Sequence, residues 1–360
     1  MAALDWATRD SGVPADTAHS HSLHGSIRWI DVCKGIGIVL VVAGHKLKMP
    51  QPIVQFLYLF HMPLFFVLSG YLFKAQRSEW DYAYKKAIHL LVPYAVFFLS
   101  LLPRELFYVL HHHEPIGGLL LHLAWGGDRT SGDYSVFWFV PCLFLTQQLM
   151  NVLLANMRML AVLPVMVISL SASYFLSARF PHFDLPLNAH VVLASSPLFF
   201  AGYVMRRYAV LENKWFYCLS IAGVACAVIV LWLGIDISYD MHNGVYGVPF
   251  LSFALSLCCI QAVVFASKAI CMIPVAEGIL ASFGSLSMGI MFIHNPLFVP
   301  RLASRLIPDG GMVSFMLILC LSYGLAFCLS KNRIARALYL GSERDFRTLL
   351  NSHSASELAT

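Results

Sequence analysis

The sequence predicts an all-α integral membrane protein of about ten transmembrane helices with both termini cytoplasmic. Three observations carry that expectation. Of 360 residues, 59% are hydrophobic and 12% charged, against about 25% charged in a soluble domain. Apolar runs of roughly 17–25 residues, the length needed to cross a bilayer, recur along the whole chain. Lysines and arginines gather in alternate short connectors between those runs, the bias that sets membrane orientation.

In chain order, residues 1–26 are polar and rich in His, Ser and Ala. They lack the basic segment and cleavage site of a signal peptide, so a disordered tail is expected. Residues 27–330 form one transmembrane domain with spans at 27–44, 53–73, 87–109, 135–154, 159–177, 190–205, 215–233, 246–267, 280–300 and 312–330. The sixth and ninth spans are the weakest, one short and holding Pro197, the other broken by Pro296. Residues 331–360 are expected as a basic cytoplasmic tail. With the N-terminus inside, sixteen of the 24 lysines and arginines fall in inner segments and seven in outer ones, and Lys34 lies within the first span. The net charge of +5 does not point to nucleic acid, because the basic residues sit in connectors and not in an aromatic-rich solvated patch. All nine cysteines lie in or beside apolar runs, so they are expected as packing residues without disulfides.

The first span, RWIDVCKGIGIVLVVAGH at 28–45, is the strongest chemical signal. Charges at membrane depth are costly and usually functional. Lys34 and His45 are eleven residues apart, which places them within about 20° on one helix face and about 16 Å apart along the axis. Asp31 stands three residues before Lys34 and is positioned to pair with it, an arrangement that leaves His45 as the chemically free group. A snorkelling Lys34 with an interfacial His45 is the bland alternative. The second span carries His61 beside Pro63, and the ninth carries His294. Each is either a hydrogen-bonded packing residue or, with His45, part of a convergent set from three helices. Outer connectors contribute HHHEP at 111–115, Gly126-Gly127-Asp128, and Asp236, Asp240 and His242. Adjacent histidines diverge on a helix and HExxH is absent, so no metal site is expected. Phosphate-loop and GxSxG patterns are absent too.

These residues resemble the acyltransferase family 3 membrane proteins. Lys34-x10-His45 is similar to their Arg/Lys-x10-His signature. WIDVCKGIGIVLVVAGH, followed by FHMPLFFVLSGYLF, resembles the fucose 4-O-acetylase-like and exopolysaccharide (xanthan-type) acetyltransferase branch. FWFVPCLF (137–144), SPLFFAGYVMRR (196–207) and SLSMGIMFIHNPLF (285–298) extend the likeness over about residues 26–300. The resemblance implies a membrane-bound O-acyltransferase of the bacterial inner membrane that moves acetyl from acetyl-CoA to a hydroxyl of a lipid-linked or polymeric glycan. It implies acetyl-CoA as co-substrate and no permanently bound cofactor. It makes His45 the essential histidine and Lys34 its basic partner, where Lys lacks the bidentate fork of the commoner Arg. Asp31, His61 and His294 complete the candidate catalytic set. Lys34, Arg206 and Arg207 are candidates for the CoA phosphates, although simple positive-inside topology also explains the Arg pair. A polytopic transporter or flippase for a glycan is the competing class, with the same residues as proton or ligand relays.

Overall fold

A computed structural model describes residues 18–112, 115, 117–118, 125, 134–295, 298–307 and 311–357. Residues 1–17, the last two of HHHE, Gly126-Gly127-Asp128 and Pro296 lie outside the described residues. The helices are α1 (Ala18–Lys46), α2 (Gln51–Leu72), α3 (Glu79–His111), α4 (Phe139–Asn156), α5 (Met159–Arg179), α6 (Val192–Arg207) and α7 (Lys214–Trp232). They continue with α8 (Leu251–Ile270), α9 (Pro274–Ser285), α10 (Ser287–His294), α11 (Phe298–Leu306), α12 (Gly311–Lys331), α13 (Arg333–Tyr339) and α14 (Glu343–Glu357). Among the described residues the one β-type pairing is an isolated bridge, Asp240 to Val245.

Among the described residues eight helices, α6 counted with its 3-10 start at Pro186, are long and apolar enough to cross a membrane, or nine if the bent pair α9–α10 counts as one span. The remaining expected span falls on α1, whose apolar run is interrupted by Arg28, Asp31 and Lys34. The protein is therefore an all-α, multi-pass membrane protein. Helix α7 shows why the surface is apolar: Trp215 and Trp232 at its two ends are 81% and 84% exposed. They lie about 26 Å apart at 1.5 Å per residue, the spacing of two interfacial aromatic belts.

One expected weak point behaves differently from the expectation, and another shows a break besides the one expected at Pro296, which lies outside the described residues. Pro197 sits inside α6 without ending it, and a 3-10 turn at Pro186–Val191 lengthens the sixth span at its start. The ninth span breaks at Leu286, between α9 and α10, with a bend of 66°. The segment 331–357 is folded as α13 and α14. There Arg336 bonds both carboxylate oxygens of Asp345, its Nε at 2.8 Å and its Nη2 at 3.3 Å.

Without a hydrophobic drive between helices in lipid, close packing rests on small residues. The α1–α9 crossing has a glycine on each side. A Cβ on Gly35 would meet the Leu280 carbonyl, and one on Gly284 the Asp31 carbonyl. The α2–α6 crossing repeats the device with Gly70 against Phe199 and Gly202 against Val67. Polar contacts add to this, such as Thr146 to Ser195 at 2.6 Å between α4 and α6. The two glycine crossings hold α1 and α2, the helices carrying most of the candidate residues, against their neighbours.

Candidate active site

Helix α1 presents one stripe, Lys34, Ile38, Val41 and His45, at spacings of four, three and four residues. Its two ends open into different cavities. The first, about 210 Å³, is lined by Lys34, Ile38, Val41, Ser69, His89, Phe139 and the residues 284–289 at the break in the ninth span. The second, about 70 Å³, is lined by His45, Tyr58, His61, Ser135, Trp138 and the loop residues Tyr239–Asn243. Lys34 and His45 thus share a face, as the sequence predicts, while facing separate spaces.

At the Lys34 end, Nζ lies 3.2 Å from the Asp31 carboxylate, and about a third of each side chain is exposed. Asp31 therefore belongs with Lys34 and not with the histidines. His89 stands on a π-helical turn, Ala87–Leu91, a local widening that often re-aims a side chain at a functional site. Its Nδ1 donates to the Gly341 carbonyl at 3.2 Å. Gly341 has φ of 63° and packs so closely on His89 that a Cβ would strike the His89 carbonyl. The segment after the last span thereby closes one wall of this cavity, with Leu340 in its lining.

At the other end three imidazoles gather. The His45 ring is accessible, and its centroid lies 5.3 Å from that of His294. His61 and His294 are buried. His61 Nδ1 donates to the Leu57 carbonyl at 2.8 Å, and His294 Nδ1 donates to the carbonyls of Met291 and Ile290 at 2.8 and 3.2 Å. A carbonyl only accepts, so Nδ1 holds the proton in both rings and Nε2 is left as a lone pair. Among the described residues the buried Nε2 of His294 has no hydrogen-bond partner, which makes it an acceptor available beside His45. The alignment is held by a short polar chain: Lys46 Nζ donates to Asn295 at 2.9 Å, and Asn295 donates to Ser135 at 2.8 Å.

The outer wall is a loop ordered by its own aspartate. Asp240 accepts from the backbone N–H of His242 and Asn243 and from the Asn243 amide, at 3.2, 3.3 and 2.7 Å. His242 packs 5.8 Å from the Trp138 ring, and among the described residues its buried Nε2 lacks a partner. Tyr58 stands edge-on to His61 at 4.8 Å.

The sequence singled out Asp236, Asp240 and His242 in an outer connector, without assigning them to a site. Tyr58, Trp138 and His89 carried no sequence signal for the cavities they line. Arg206 and Arg207 stand apart from both cavities: Arg206 donates to the Tyr71 carbonyl at 3.2 Å and both are exposed.

Fold and site together define a multi-pass membrane protein with an internal, imidazole-lined centre. The chain belongs to the acyltransferase family whose model, described as an acyltransferase domain, matches residues 27–331. It is similar to the nodulation protein NolL of Sinorhizobium fredii (strain NBRC 101917 / NGR234), with 26% identity over 223 residues covering 56% of each chain. It is also similar to the nodulation protein NolL of Mesorhizobium japonicum, with 28% identity over 218 residues covering 54% of each. The chain thus spans about half the length of the curated relatives it matches. No solved structure matches it.

Proposed function

We propose that this protein is an O-acetyltransferase of the bacterial inner membrane that carries acetyl from acetyl-CoA to a hydroxyl of a cell-surface or extracellular polysaccharide. The observation that carries this reading is the stripe on α1, whose two ends line a cavity with the Lys34–Asp31 ion pair and a cavity with His45, His61 and His242. With the Lys34 end and both termini cytoplasmic, acetyl-CoA enters the larger cavity and its pantetheine arm follows Ile38 and Val41 toward His45. Lys34 holds an anionic group of the donor. Arg206 and Arg207, remote from that cavity, act at most on approach, through the basic field of the inner edge.

The acceptor hydroxyl meets His45 in the smaller cavity, where imidazole is a suitable general base. His45 takes the hydroxyl proton as the oxygen attacks the acyl carbon. The new C–O bond forms, the C–S bond breaks, and the proton passes to the leaving thiolate to give free CoA thiol. His61 and His294, each offering an Nε2 lone pair, position and support the protonated His45.

The test is the O-acetyl content of the host's surface polysaccharide, by proton NMR, in wild-type, deletion and His45→Ala strains. Equal loss in the deletion and in His45→Ala, with the variant at wild-type membrane levels, supports the reading. Unchanged acetylation in the deletion overturns it. Loss of the polymer itself in the deletion identifies a transporter instead.

A further inference from the structure

The two cavities share one lining residue among those described, Met62. It follows His61 and precedes Pro63 on α2 and is half-buried against the core. On the Lys34 side its neighbours in the lining are Ile38, Val41, Phe65 and Phe139, an apolar throat. On the His45 side the lining turns polar within one residue, to His61, Tyr58 and Asp240. A thioether side chain with three rotatable bonds adapts its shape to a passing group more readily than a branched or aromatic one.

We infer that Met62 is the partition between a donor chamber and an acceptor chamber, and that it determines both which acyl groups reach His45 and whether water reaches the thioester. The inference rests on the acyl-transfer reading above. In the resting state Met62 separates the apolar throat from the wet, histidine-lined cavity. A short acyl group displaces it and reaches His45. A longer one needs more room than the throat and the small outer cavity provide. Without the partition, water from the outer cavity attacks the acyl carbon, and acetyl-CoA plus water gives acetate and CoA thiol without any glycan.

Each methylene accepted or refused by an apolar pocket is worth roughly 10- to 200-fold in discrimination. In purified, detergent- or nanodisc-held protein, Met62→Ala is therefore expected to raise kcat/KM for butyryl-CoA relative to acetyl-CoA by about tenfold or more. It is also expected to raise acceptor-independent thioester hydrolysis, followed as free thiol release. Met62→Val is expected to move both readouts the same way by less, and Met62→Leu, which keeps the bulk, to retain wild-type discrimination.

Should Met62→Ala not accumulate, Met62→Val carries the test. If Met62 only fills the core, the variants lose thermal stability while the butyryl-to-acetyl ratio and the hydrolysis rate stay at wild-type values, and that outcome overturns the inference. The failure of the underlying reading looks different: unsubstituted protein then shows no His45-dependent acyl transfer from any donor.

Discussion

Substituting Gly284 by alanine tests whether the geometry of the Lys34 cavity depends on the α1–α9 contact. The added Cβ would fall on the backbone carbonyl of Asp31, with the Gly35 nitrogen 3.0 Å away. A carbonyl inside a helix has no rotamer with which to yield, so α9 must retreat from α1. Overpacking of this kind costs typically about 1–3 kcal/mol. The functional loss should exceed the stability loss, because Gly284 and Ser285 line the same cavity as Lys34. A misplacement of about 1 Å in a positioning element can cost on the order of 100-fold in rate. Gly278 provides the control in the same helix, since a Cβ there meets nothing. Gly278→Ala should stabilise slightly, by about 0.5–1 kcal/mol of helix propensity. The assay pairs thermal unfolding of purified protein with acetyl transfer at saturating and limiting acetyl-CoA. Gly284→Ala with wild-type melting temperature and wild-type turnover would refute the close-contact argument, whatever Gly278→Ala does.

Three further outcomes follow from the geometry. Lys34→Met should raise KM for acetyl-CoA strongly while Lys34→Arg retains most activity; the Asp31–Lys34 pair, a third exposed, is worth at most about 1 kcal/mol, so equal melting temperatures in both variants would separate the donor role from stability. Asp240→Ala removes three hydrogen bonds from the loop carrying His242, each worth about 0.5–1.5 kcal/mol, and should raise KM for the acceptor with KM for acetyl-CoA unchanged; a change in the donor KM alone would contradict the chamber assignment. The Arg336 hydrogen bonds beside Asp345, in the segment after the last span, hold its carboxyl down to about 2 from an ordinary 3.8. The folded pKa is depressed, so this stabilisation is present in full above about pH 4 and lost as pH falls through 2. Asp345→Asn should lower the melting temperature at pH 7 and flatten its fall between pH 4 and pH 2, and an unchanged acid profile would count against the pair.

Much of the architecture was legible because the bilayer imposes length and polarity so strongly. Every expected span coincides with a helix or, for the ninth, with a bent pair. The placement of Lys34 and His45 on one face of α1 followed from helical period alone, and the proximity of His294 to His45 from the rarity of polar residues at membrane depth. What the sequence did not reveal has local causes. Pro197 drew attention as a breaker but is contained within α6, whereas a break falls at Leu286, where no proline or glycine stands. Proline inside α6 is tolerated because neighbouring helices re-satisfy the freed backbone. The π turn that aims His89 inserts a slip into the helical period too small to read from a pattern of apolar residues. The loop wall at Tyr239–Asn243 is brought to His45 by tertiary folding, and nothing in its own sequence records that neighbour.

The break at Leu286 also bears on how the two cavities work together. Irregular backbone at membrane depth is tolerated only where protein buries it or where it lines a water-filled space. Here residues 284–289 line the Lys34 cavity, so the break and the cavity have a common explanation. Beyond the break α10 runs only eight residues, about 12 Å, before His294 reaches His45. One discontinuous span therefore lines the Lys34 cavity and meets α1 twice, through Gly284 on one side of the bend and through His294 beside His45 on the other. A shift of α9 at its glycine contact would be felt at His294 through the short, stiff α10. On the proposed reading, in which one acyl group is handed from the Lys34 cavity to the His45 cavity, this span would couple the two mechanically as well as through Met62.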